Sequence, residues 1–199
     1  MNLTRGKAIF AIYWRFLMLW AIANSISYAG GGIISAFVTD YISGDRGVFL
    51  SFAVMSMAIA LGQWLVIRKR IKGLIWLWTT WLGGTFGGFI SSWASFELAF
   101  TYGDAVDLLV VYACLRGFTT GLCQWLALRK LYQKKSQWWI VITTASWYVS
   151  IISGSMLIEK MPALRYVTTL AIGLIYGIFT GLALCSFYFV SSSAAAPRH

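Results

Sequence analysis

The stretch VFLSFAVMSMAIALGQWLVIRKR, residues 48–70, decides the fold. Val48–Ile67 contains no charged side chain, and Arg68, Lys69 and Arg70 follow it at once. At about 1.5 Å of rise per residue such a run makes a helix about 30 Å long, which matches the hydrocarbon core of a bilayer. An open strand would leave its backbone unpaired in lipid, so a helix is the only form the run can take there. The basic cluster marks its aqueous end, and by the positive-inside tendency that end faces the cytoplasm.

Five more segments have the same character, giving six in all: Ala8–Val38, Val48–Ile67, Leu74–Leu98, Val106–Leu128, Trp138–Leu157 and Tyr166–Phe189. The first is longer than a span requires, and Gly30-Gly31-Gly32 is expected to kink it or mark its outer end. Hydrophobic residues make up 59% of the chain and charged ones only 11%. A soluble domain carries about 25% charged residues, so there are too few here to cover a water-exposed surface. The expectation is an all-α, six-transmembrane-helix bundle forming one membrane domain over residues 1–190, with antiparallel neighbours joined by short linkers. Ser191–His199 is read as a mobile polar tail. Arg5 and Lys7 before an apolar run resemble a signal sequence, but the run is about twice the 7–15 residues of a signal's apolar region. It is read as a retained first helix.

Charge is segregated along the chain. Arg5, Lys7, Arg68, Lys69, Arg70, Lys72, Arg129, Lys130, Lys134, Lys135 and Arg198 fall on one side of the expected topology. The other side has Arg46, Lys160 and Arg165 together with every acid: Asp40, Asp45, Glu97, Asp104, Asp107 and Glu159. The expected orientation has both termini in the cytoplasm. The net charge of +10 sits in short clusters between apolar runs. It does not form the extended basic surface that nucleic acid requires.

The helices share patterns that suggest an internal repeat of three two-helix hairpins. Gly62-Gln63-Trp64-Leu65 leads to Arg68-Lys69, and Cys123-Gln124-Trp125-Leu126 leads to Arg129-Lys130. Gly117-Phe118-Thr119-Thr120-Gly121-Leu122 parallels Gly177-Ile178-Phe179-Thr180-Gly181-Leu182. Trp20, Trp81 and Trp147 begin comparable stretches in the odd-numbered helices. The Gly-x-x-Gln-Trp-Leu-x-Leu-Arg pattern at Gly121–Arg129, looser at Ala60–Arg68, resembles one in uncharacterised bacterial polytopic membrane proteins, cyanobacterial ones among them. Helix 6 departs from it, with Leu184-Cys185 in place of Gln-Trp. The resemblance implies a multi-pass architecture in a bacterial cytoplasmic or thylakoid membrane, and no activity.

Several residues stand out chemically. Gly83, Gly84, Gly87 and Gly88, then Gly117 and Gly121, then Gly173, Gly177 and Gly181 are spaced for close helix contact, the main source of association in lipid. Gln63 and Gln124, about one turn from the cytoplasmic ends, are expected to clamp neighbouring helices. Trp64 and Trp125 beside them fit the interfacial aromatic belt, with Trp14, Trp76, Trp78, Trp138 and Trp139. Arg15 can reach the interface along its own stem. Arg116 cannot, because it lies about 15 Å from either end of its helix. A midplane arginine costs about 2.5–3.5 kcal/mol on insertion scales and normally faces the bundle interior. Tyr112, Thr120 and Gln124 extend it into a polar stripe, Asn24 is a candidate partner, and Asp107 is the structural alternative.

The chain offers little for catalysis. Its one histidine is His199, and Cys114, Cys123 and Cys185 lie singly in apolar runs without a Cys-x-x-Cys spacing. No mid-helix lysine is available for a retinal Schiff base, and no cofactor is called for. Two roles remain open. One is a non-catalytic accessory, assembly or packing component of a larger membrane complex, with lipid and other membrane subunits as partners. The other binds or moves a small anionic or amphipathic solute, or a lipid, around Arg116.

Overall fold

The computed structural model of the chain describes residues 3–71, 74–103, 106–160 and 165–194. Six helices account for nearly all of them: α1 Leu3–Tyr41, α2 Gly44–Ile67, α3 Ile75–Tyr102, α4 Leu108–Tyr132, α5 Trp138–Lys160 and α6 Arg165–Ala194. No strand occurs among the described residues. The helices overrun the apolar segments because polar interfacial residues continue the same hydrogen-bond ladder. Residues 191–194, expected in the tail, thus form the last turn of α6; Lys72, Asp104 and residues 195–199 lie outside the described residues.

Local chemistry sets the ends. Gly44, at φ 72°, turns the chain from α1 into α2, a conformation that a side chain would disfavour. Gly103 does the same after α3, at φ 55°. The Asp107 carboxylate accepts from the backbone N–H groups of Leu109 and Val110 at 3.0 and 3.1 Å, which caps α4 in the manner favoured for aspartate. Gly30-Gly31-Gly32 does not interrupt α1, which is helical throughout. Instead Gly31 brings α1 against α2: a Cβ there would lie 3.2 Å from the Met55 Cα.

Each helix packs on its chain neighbours, and α6 returns to pack on α1, so the six close into a ring. Short connections make neighbours antiparallel. Arg68, Lys69 and Arg70 therefore lie at the same end of the ring as Arg129 and Lys130. Asp40, Asp45, Asp107 and Glu159 lie at the other.

The ring is inverted relative to a water-soluble protein. Asn24, Gln63, Thr80, Arg116, Gln124, Thr143 and Ser150 are buried, while Phe37, Leu65, Trp93, Phe96, Val141 and Leu182 are exposed. Such a surface suits lipid. Four helices are long and apolar enough to cross a membrane: Phe10–Tyr41 of α1, α2, Lys135–Lys160 with α5, and Val167–Phe187 of α6. The architecture fits a multi-pass integral membrane protein. Helices α3 and α4 have the length but between them carry several glycines, threonines and serines, and α4 carries Arg116; Thr80, Gly83, Ser91, Arg116, Gly117 and Thr120 among these are buried. Their outward residues, among them Leu82, Phe86, Ile90, Phe118 and Leu122, are apolar.

The singled-out glycines all lie on seams of the ring. A Cβ on Gly117 would stand 2.7 Å from the Thr144 Cα on α5, and one on Gly177 would stand 2.7 Å from the Ala21 Cα on α1. Between α3 and α4, a Cβ on Gly83 would lie 2.8 Å from that of Cys123. These are backbone-to-backbone approaches that no rotamer change can relieve. Overpacking such a site costs about 1–3 kcal/mol. In detergent, Gly177→Val is expected to lower the thermal unfolding midpoint by several degrees, read by circular dichroism. Gly30→Ala, whose Cβ would meet nothing within 4 Å, is expected to leave it unchanged or raise it.

Candidate functional site

Toward the basic end, the core is filled by aromatic rings. Trp20 of α1 lies edge-on to Trp76 of α3 at 6.0 Å, and Trp76 lies edge-on to Trp139 of α5 at 5.8 Å. None of the three is exposed. Trp76 and Trp139 were expected in the lipid-facing belt, and the structure corrects that. Trp14, Trp78 and Trp138 do face outward. Trp20, Trp81 and Trp147 do not form a matching set either: Trp20 and Trp147 are core residues, whereas the Trp81 indole is only half-buried and donates to the Ala53 carbonyl.

An indole N–H inside lipid needs an acceptor, and the two glutamines supply it. Trp76 donates to Gln63 Oε1 at 3.2 Å, and Trp139 donates to Gln124 Oε1 at 3.0 Å. The amides also join each other. Gln124 Nε2 donates to Gln63 Oε1 at 3.1 Å and to Thr80 Oγ1 at 3.0 Å. Gln63 Nε2 donates to Asn24 Oδ1 at 2.7 Å, and Asn24 Nδ2 donates to the Trp20 carbonyl at 2.8 Å. Trp20 completes the layer by donating to Thr180 Oγ1 at 2.9 Å. The network therefore ties α1, α2, α3, α4 and α5 together, and the Trp20 bond adds α6. Trp64 and Trp125 are half-buried beside it, with Arg68 and Arg129 over their rings at 5.7 and 5.4 Å.

Arg116 lies in the next layer, 1% exposed. Its Nη1 donates to the Tyr112 hydroxyl at 2.6 Å. The guanidinium carbon stands 4.8 Å from the ring centres of both Phe52 and Trp147, and 5.7 Å from that of Tyr112. Gly88 makes room for it, since a Cβ there would come within 2.6 Å of Nη1. Nε and Nη2 have no hydrogen-bond partner among the described residues. Neither expected partner serves: Asp107 caps α4, and Asn24 is taken up by the amide network. Cation–π contact stabilises the charge by about 0.5–2 kcal/mol but does not neutralise it.

Beside Arg116 is a cavity of about 10 Å³, the size that holds a single water. All six helices contribute to its wall, through Tyr28, Ser56, Gly84, Arg116, Trp147 and Tyr176 in chain order. Of the residues expected around Arg116, Thr120 lines this cavity with it, Tyr112 bonds Arg116 without lining it, and Asn24 belongs to the amide network. Sequence reasoning missed Tyr28, Ser56 and Trp147. A signal existed for Trp147, which lies four residues beyond the buried Thr143 on α5. A second, larger hollow of about 290 Å³ opens on the outer flank by Asp45, Phe89, Trp93 and Phe96. Asp45 and Ser92 are the polar residues of its wall.

No family model matches the chain, and neither a curated protein nor a solved structure does. Among the described residues, no three of His, Cys, Asp and Glu come together as a metal site would require.

The amide network has a measurable weight. Leaving a buried donor unpaired costs about 1–3 kcal/mol. Gln124→Leu strands the Trp139 indole and is expected to lower stability by about that amount in detergent unfolding. Gln63→Leu together with Gln124→Leu is expected to cost less than the sum of the singles, because the two share one hydrogen bond.

Proposed function

We propose that the chain is a six-span, non-catalytic membrane protein with both termini in the cytoplasm, serving as an accessory, assembly or packing component of a larger membrane complex. The observation that carries this reading is the closed interior. The three-tryptophan layer fills the basic end of the ring, and the amide network tethers it. The central cavity holds about 10 Å³, which leaves no space for an organic anion or an amphipathic solute among the side chains. A solute carrier built around Arg116 calls for a larger enclosed space, so the small cavity favours the accessory reading.

Three further features support the reading. Large apolar side chains are exposed on all six helices, so the flanks can meet lipid or the helix of another subunit. Arg68, Lys69, Arg70, Arg129, Lys130 and Lys135 lie at one end against Arg46 and Lys160 at the other, the bias that the positive-inside tendency describes. The glycine seams recur as three hairpin repeats would make them: Ser56 against Gly84, Gly117 against Thr144 and Gly177 against Ala21. A bacterial cytoplasmic or thylakoid membrane is the setting proposed by resemblance, with no nucleic acid among the partners.

Purification of the full chain from its native membrane in a mild detergent, followed by native mass spectrometry, tests the role. Stoichiometric co-purifying membrane subunits are the expected result. A lone chain that catalyses uptake of an organic anion into proteoliposomes would overturn it. For orientation, a cysteine placed at Ser43 is expected to react with an impermeant maleimide from outside the cell. One placed at Lys69, exposed at the basic end, is not.

A further inference from the structure

The wall of the central cavity is rich in donors and has no carboxylate. Besides Arg116 Nε and Nη2, the unpartnered buried atoms there are the hydroxyls of Tyr28, Ser56 and Thr120 and the indole nitrogen of Trp147. They come from α1, α2, α4 and α5, so no single helix accounts for them. Native interiors leave few polar groups unsatisfied, and those that remain call for an explanation. A guanidinium keeps its charge in proteins, and a buried charge normally has a counter-charge. The acceptors in this wall are neutral hydroxyl and amide oxygens, and no carboxylate faces the guanidinium.

We propose that this cavity binds a monatomic halide, which in the cell is chloride. The ion would lie against Arg116 and accept from its Nε or Nη2, with the hydroxyls of Thr120, Ser56 and Tyr28 and the Trp147 indole as further donors. Size selects the class. A space of about 10 Å³ takes one water-sized sphere, so a single-atom ion is the anion nearest to it in size, and carboxylates with an organic tail, phosphate and sulfate are excluded. Charge selects the halide over water: a water molecule could bond some of these donors, but it would leave the guanidinium uncompensated. The aromatic rings of Phe52 and Trp147 close the site and lower the local dielectric. That strengthens the pairing of ion and guanidinium and raises the cost of leaving the cation alone. The halide is thus the counter-ion that the fold's own acids, confined to one end of the ring, do not supply. The inference goes beyond the accessory reading, and neither depends on the other.

The test is a thermal unfolding series on the full chain in detergent, in potassium chloride, bromide, acetate or gluconate at constant ionic strength. Chloride and bromide are expected to raise the midpoint by several degrees with saturation, and acetate and gluconate are expected to have no such effect. Arg116→Met, which places an apolar chain of similar reach in the site, is expected to remove the halide increment. Thr120→Val keeps the side chain's shape and deletes one donor, so it answers the question even if Arg116→Met does not fold. It is expected to raise the half-saturating bromide concentration several-fold. Three results would each overturn the proposal: a midpoint indifferent to halide, equal stabilisation by acetate, or a halide response unchanged in Thr120→Val.

Discussion

Everything inside this ring follows from one constraint: lipid offers no hydrogen bond. A polar side chain that turns inward must find its partner on another helix, because neither water nor the acyl chains will serve. Gln63 and Gln124 meet that demand most fully. Between them they accept two indole N–H groups, bond each other and reach Asn24 and Thr80. Each bond is modest, and such contacts in membranes average well under 2 kcal/mol. Their value lies in direction. Apolar helices can slide and rotate against one another at little cost, whereas a shared amide fixes both register and rotation.

The glycine seams and the amide layer are two halves of the same solution. Close backbone approach at Gly117, Gly121, Gly173 and Gly177 draws the helices in, and the short distance lets glutamine side chains span the core. The same geometry creates the difficulty at Arg116. Gly88 leaves room for a guanidinium, but the surrounding helices present rings and hydroxyls in place of a carboxylate. One layer of the ring is satisfied by its own members; the layer next to it has donors to spare.

The fold was legible because a bilayer sets the length of its spans. The runs around Val48–Ile67 and Tyr166–Phe189 announce helices by extent alone, and Gln63 and Gln124 announce clamps because an amide there has no other outlet. The aromatic layer was not legible from position in the chain. Trp76 and Trp139 lie near helix ends, where interfacial tryptophans are common, and nearness to an end does not say which way a ring points. Their spacing does. Trp76, Thr80, Gly83, Gly84 and Gly87 fall on one buried face of α3, and Trp139, Thr143, Ser146 and Ser150 on one buried face of α5. In an inverted protein the small and polar stripe marks the inside, and a tryptophan on that stripe belongs to the core. Tyr28 and Ser56 left no comparable trace. Their meeting with Arg116 depends on how α1 and α2 are rotated, which the ring decides only once it closes.

Closure has a bearing on how the chain is made. The bond from Trp20 to Thr180 joins residues 160 positions apart. At about 5–20 residues per second of synthesis, α1 waits roughly 8–32 s for that partner. Throughout that interval the ring is a gapped sheet of helices, with the inner faces of α1 and α5 open to lipid and the pocket beside Arg116 lacking its Tyr176 wall. A nascent chain in this state exposes polar groups where hydrocarbon is waiting. Helix α6 is therefore the one that converts a gapped intermediate into a closed ring.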